Sequence, residues 1–171
     1  MQDDSILKRE FIEMVLATAK KNLEKDGWLQ PVLFLQFTGG ERAVCPLGLS
    51  KVSDAKQAYF ATLGTSLHQA GKAIHEAAFL SESWFVEAQK AVSALDYAPS
   101  RHPQRQEAIV VIGRDAGGQR VSSVVQPFTR QAENRPVWGE LVIATYNNAV
   151  ETGWHPVGLL DYLFHANQER G

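Results

Sequence analysis

Two segments of the chain, Val32-Leu33-Phe34-Leu35-Gln36-Phe37 and Ala108-Ile109-Val110-Val111-Ile112, carry apolar residues at both odd and even positions. Successive side chains of a strand point to opposite faces, so a strand that is apolar at both parities suits burial on both sides. The fold therefore needs a sheet whose central strands lie in the interior, and Val110, midway along the more apolar run, is expected in the core. Each run leads into turn chemistry. Gly39-Gly40 can supply the positive φ angles of a tight hairpin into Arg42 to Leu47, where Pro46 cannot donate to a ladder and ends the strand. Asp115-Ala116-Gly117-Gly118 turns the second run back through Arg120 to Phe128, with Val121 and Val125 on one face. A turn centred on Ala116-Gly117 places Ile112 beside Val121 and Ala108 beside Val125.

Helical periodicity fills the rest of the first half. Asp3, Asp4 and Ser5 suit a helix start, and Leu7, Phe11, Val15, Leu16, Ala19 and Leu23 follow at helical spacing up to Lys25 and Gly27. Ser50 and Ser53 are N-cap candidates for a second helix, along which Tyr59, Leu63, Leu67, Ala70 and Ile74 recur at spacings of three and four. Gly64 and Gly71 fall on nearly one face of it. Glycine costs about 1 kcal/mol relative to alanine inside a helix, so the pair points to a close approach of another backbone or of the sheet, with two tolerated surface glycines as the alternative.

The segment Ala77 to Glu87 fits two periods. Ala78, Leu80, Trp84 and Val86 alternate about Glu82 as in a strand, whereas Leu80, Trp84, Ala88, Ala91 and Leu95 fit a helix. A second helix running unbroken through Leu95 would exceed about 40 residues, far above the ordinary globular length, so a strand is expected. Residues 89–106, with Pro99 and Pro103, are expected to be an irregular connection. Trp138 to Tyr146 reads as a further strand, and Pro156 suits the first turn of a last helix carrying Val157, Leu160, Leu163 and Phe164. The sum is one α+β domain over residues 1–171, an antiparallel sheet packed with about three helices in the order α-β-β-α-β-β-β-β-α, the first helix lying on one face. That order resembles the profilin and roadblock group of folds, in topology alone.

Charge narrows the function classes. The chain has 171 residues with 17 Lys and Arg against 19 Asp and Glu, a net charge of -2, so it offers no global field for a nucleic-acid backbone. Its longest uncharged stretch, Gly27 to Gly40, falls short of the ~20 residues of a membrane-spanning helix. The lone Cys45 excludes an internal disulfide, and Met1-Gln2-Asp3-Asp4-Ser5 is acidic where a signal peptide would be basic, so a cytoplasmic location is expected.

Near matches to catalytic motifs fail on their chemistry. His75-Glu76-Ala77-Ala78-Phe79 begins like a zinc-protease helix, but Phe79 stands where the second histidine belongs. Gly64 to Ala73 has glycines too far apart for a phosphate loop, and Ala73 lacks the magnesium-ligating hydroxyl. His68 and His75 would share a helix face but be separated by about 10.5 Å of rise, too far for one ion. Ser66 has no glycine-flanked elbow, and Cys45 has no basic neighbour in sequence to stabilise a thiolate. Neither a cofactor nor a metal nor a catalytic residue is expected.

One distribution remains. Residues 97–135 hold six basic and three acidic groups, and all six basic residues are arginine, whose planar fork binds carboxylate or phosphate in a bidentate manner. The hairpin geometry gathers Arg101, His102, Arg105, Arg130 and Arg135 toward one end and leaves Arg114 and Arg120 at the other. These five are the candidate ligand-binding residues, with neutralisation by Glu107, Glu133 and Glu140 as the alternative. Two functions follow as expectations. The first is a non-enzymatic cytoplasmic interaction or regulatory protein, such as a homodimer, because apolar strands leave edges that something must cover. The second is an enzyme or sensor for a small anionic ligand, bound by the arginines with His102 as general acid or base.

Overall fold

The computed structural model describes residues 4–48, 53–85, 106–118, 121–146 and 155–168. The elements are α1 (Asp4–Asp26), β1 (Val32–Phe37), β2 (Arg42–Pro46), α2 (Ser53–Gln69), β3 (Ile74–Phe85), β4 (Gln106–Asp115), β5 (Val121–Arg130), a short 3-10 turn (Ala132–Asn134), β6 (Pro136–Trp138), β7 (Val142–Tyr146) and α3 (His155–Gln168). The strands form one antiparallel sheet in the order β2-β1-β3-β4-β5-β6, with β7 also pairing β5. The α+β class and the order of elements match the sequence reading, and the strand expected over Ala77 to Glu87 is found over Ala77 to Phe85 as the larger part of β3, Val86 and Glu87 lying outside the described residues. The expected connection over residues 89–106 lies outside the described residues, apart from Gln106, which opens β4.

The two apolar runs are central because both faces of the sheet are covered. Leu33, Leu35, Phe37, Ala77, Phe79 and Ile112 pack with Phe60 of α2 and Leu159, Leu160, Leu163 and Phe164 of α3. The opposite parity, Phe34, Ala78, Leu80, Ile109, Val111, Val124 and Phe128, packs under Phe11, Ile12, Val15, Leu16, Ala19 and Leu23 of α1. Alternation along β1 and β3 thus sends neighbouring residues into two separate cores. Val110 is only partly buried, packed at the margin of the first core, while Ile109, Val111 and Ile112 are fully enclosed.

Several local expectations are corrected. The first hairpin has a three-residue loop in which Gly40 alone is left-handed (φ +88°), with Phe37 N–H donating to Glu41 O at 2.9 Å. This is the type I turn plus bulge, which needs one glycine and not two. In α2 the core anchor is Phe60, whereas Tyr59 is exposed. That helix stops at Gln69, before Ile74, because Lys72 N–H bonds Leu67 O (2.8 Å) and Gly71 N–H bonds His68 O (2.9 Å) with Gly71 at φ +71°. This six-to-one, five-to-two pairing is the glycine helix stop, so Gly71 serves chain reversal and His75 lies on β3, not on a helix face shared with His68. Gly64 does mark a close approach: a Cβ there would lie 2.3 Å from Leu163 O of α3.

The second hairpin pairs Ile112 with Ser123 and Ala108 with Pro127, two residues beyond the expected register. The Asp115 carbonyl accepts from Gly118 N–H (3.1 Å), a turn centred on Ala116-Gly117 as expected, but Arg114 pairs with Val121, so the loop that joins the two strands is longer than this turn alone. An even slip keeps every side chain on its face, which is why the core survives the change. The expected strand Trp138 to Tyr146 is two strands: Phe128 pairs Trp138 but Val125 pairs Val142, a one-residue shift across the break. Pro127 has no N–H to give. Its carbonyl takes Gly139 N–H (2.8 Å), and the buried Gln126 amide fills the gap by donating to Pro127 O (3.0 Å) and Gly139 O (2.9 Å).

Candidate functional site

Of the five candidate ligand-binding residues, Arg101, His102 and Arg105 lie outside the described residues. Arg130 and Arg135 flank the turn at the far end of β5, closed by Gln131 N–H to Arg135 O at 2.9 Å. Their surroundings differ. Arg135 is 78% exposed and meets the equally exposed Glu133 at 3.4 Å, a solvated surface pair.

Arg130 is held from three sides. Its Nε donates to both carboxylate oxygens of Glu107 (3.1 Å each), its Nη2 to Glu82 Oε1 (2.6 Å) and its Nη1 to Gly27 O (2.6 Å). Parity explains the meeting: Arg130, Glu107 and Glu82 follow Phe128, Ile109 and Leu80 on the α1 face, and antiparallel pairing brings those three strand ends side by side. The helix delivers the third partner, since α1 ends just before Gly27, and Leu29 N–H returns to Glu82 Oε2 (3.1 Å). Burial works against the charge on Arg130, but Glu107 and Glu82 outweigh it and hold the guanidinium protonated. Glu107 and Glu133 thus serve as the neutralising partners that the sequence offered. Glu82 was not among them, although a lone carboxylate on the inward parity of an apolar strand is a signal for a buried partner.

The other end of the hairpin carries Arg114, as expected, and it too is engaged. It pairs with Asp161 of α3, donates Nε to Asp115 O (3.2 Å) and lies 4.6 Å over the Phe164 ring. Cys45 is half-buried against the α2/α3 core, and that burial pushes its thiol pKa up, away from the thiolate. Among the described residues there is no group of three or more His, Cys, Asp or Glu arranged to hold a metal ion, and no helix long and apolar enough to cross a membrane.

A different feature has unspent binding capacity. Strand β2 pairs only with β1 among the described residues. Glu41 O and Leu47 N–H bond across to Phe37 and Pro31, so residues 41, 43, 45 and 47 turn their backbone groups inward. By alternation Arg42, Val44 and Pro46 turn theirs outward, leaving two N–H and three C=O groups along the edge. The burial of β2 alternates in step, with the even positions exposed and Val44 57% exposed. No protein family, curated protein or solved structure matches the chain.

Proposed function

We propose that the chain is a non-enzymatic interaction or regulatory protein that engages its partner by strand addition at the outer edge of β2. The observation that carries this role is the outward row of backbone donors and acceptors on Arg42 and Val44, with an apolar, exposed Val44 at its centre. An extended segment laid along such an edge gains main-chain hydrogen bonds, and the alternate side chains give selectivity. The lone cysteine, which can form no internal disulfide, suits a reducing compartment such as the cytoplasm. Commitment of Arg130 to Glu82, Glu107 and Gly27 favours this role over capture of a small anion.

The test is a photo-activated cross-linking residue at position 44, used in cells that make the full chain. Protein adducts at 44, absent from a control at the exposed position Tyr162 on α3, are expected. Absence of any protein adduct at 44 overturns the role. In parallel, phosphate, dicarboxylates and nucleotides are expected to leave the melting temperature unchanged. A rise that shrinks with added sodium chloride would instead support an anion site built from Arg101, His102, Arg105 and Arg135.

A further inference from the structure

We infer that the occupant of the β2 edge is a second copy of the chain, joined antiparallel with Val44 of the two copies opposite each other on a two-fold axis. The inference rests on the strand-addition role and names its partner. The edge is self-complementary in that register: the Val44 N–H and C=O groups pair with those of the other Val44, and each Arg42 N–H meets the Pro46 carbonyl of the other copy. All four outward amides are satisfied, and the N–H that proline lacks falls opposite the carbonyl of Arg42, where its absence leaves no donor unpaired.

Charge selects this register. A pairing centred between Arg42 and Val44 makes as many bonds but sets the two Arg42 side chains on one face as diagonal neighbours, about 7–8 Å apart. Centring on Val44 separates them by four residues, about 13 Å. The Arg42 side chain does not obstruct the edge, because its Nη1 lies 3.1 Å from Met14 Sδ of α1, back over its own sheet. The contact is one short strand, at the low end of interface sizes, so the dimer forms reversibly with concentration.

Sedimentation of the full chain from about 1 µM to about 500 µM is expected to pass from one to two chain masses. Val44→Pro removes an outward N–H and no intrachain ladder bond, and Val44→Lys sets two cations on the axis. Both are expected to fold, with unchanged low-concentration melting, and to remain monomeric throughout. The register has its own readout: Ala43 lies opposite Cys45 of the other copy at a non-hydrogen-bonded pair, where side chains approach closely. Ala43→Cys is therefore expected to give, on mild oxidation, a dimer linked through residues 43 and 45, and to lose it on adding Cys45→Ala. A monomer at every concentration, a dimer indifferent to both Val44 variants, or a linkage between two residues 43 overturns the inference. Adducts at position 44 to a different protein overturn it while leaving the strand-addition role standing, whereas no protein adduct at 44 removes both.

Discussion

Replacing Arg130 with Met keeps much of the side-chain volume and deletes the guanidinium that joins Glu82, Glu107 and Gly27 O. Hydrogen bonds involving a charged group contribute about 1.5–3 kcal/mol each, and a neutral-site bond about 1 kcal/mol. The side chains of Arg130, Glu82 and Glu107 are 23%, 22% and 27% exposed, so solvent screens the pairs and the lower ends of those ranges apply. Deletion also strands two carboxylates that were desolvated together. The expected loss is about 2–4 kcal/mol, which for a domain of this size lowers Tm by about 6–12 °C. Urea denaturation should show the midpoint moving with an unchanged slope. Arg130→Lys, which retains the charge without the fork, should lose roughly half as much. Arg130→Met combined with Glu82→Met and Glu107→Met should recover part of the loss, because no unpaired carboxylate is left behind. A single Arg130→Met protein that melts within about 1 kcal/mol of the parent would refute the structural role and return Arg130 to the pool of residues available to a ligand.

Three further outcomes are expected. Gly64→Ala should destabilise by about 1–3 kcal/mol in thermal melts despite the better helix propensity of alanine, since its Cβ would meet the Leu163 carbonyl at 2.3 Å. Asn167→Leu should cost about 2–4 kcal/mol by denaturant titration: Asn167 accepts from Ile74 N–H (2.9 Å) and donates to Gly64 O (3.3 Å) and Lys72 O (2.9 Å), all near the buried junction of α2, α3 and β3. Cys45 should alkylate with iodoacetamide more slowly than a free thiol at neutral pH, accelerate as pH rises toward its elevated pKa and reach the free-thiol rate in denaturant, followed by mass spectrometry.

Elements were legible in the sequence where a single period dominated. The alternation around Glu82 and the two apolar runs determined strands and a core because burial on two faces leaves little choice of residue. Where the outcome depended on a long-range partner, local pattern was silent. The Trp138 to Tyr146 segment looks continuous until Pro127, on the neighbouring strand, withholds an N–H and Gln126 fills the gap. The second hairpin slipped by two residues, a change that hydrophobic parity cannot detect. At the arginine cluster, composition identified the residue type but not the destination. Arg130 is occupied because α1 ends where three strands converge, and the carbonyl of Gly27, 103 residues away in sequence, has no side-chain signature at all.

Among the described residues α1 is the one helix packed on its side of the sheet, and this has a mechanical consequence. The other face is closed by two helices that also brace each other through Gly64 and Asn167, whereas among the described residues α1 packs on strands and on Leu29 of the segment that follows it. An opening along the plane between α1 and the sheet is therefore expected, with the Arg130 contact to Gly27 as its latch at the helix terminus. Slow amide exchange should divide along that plane, with α1 released in openings that leave β3 and β4 protected. Each such opening would bare the apolar parity of four strands at once, so the latch governs how often the folded protein exposes an adhesive surface to its neighbours.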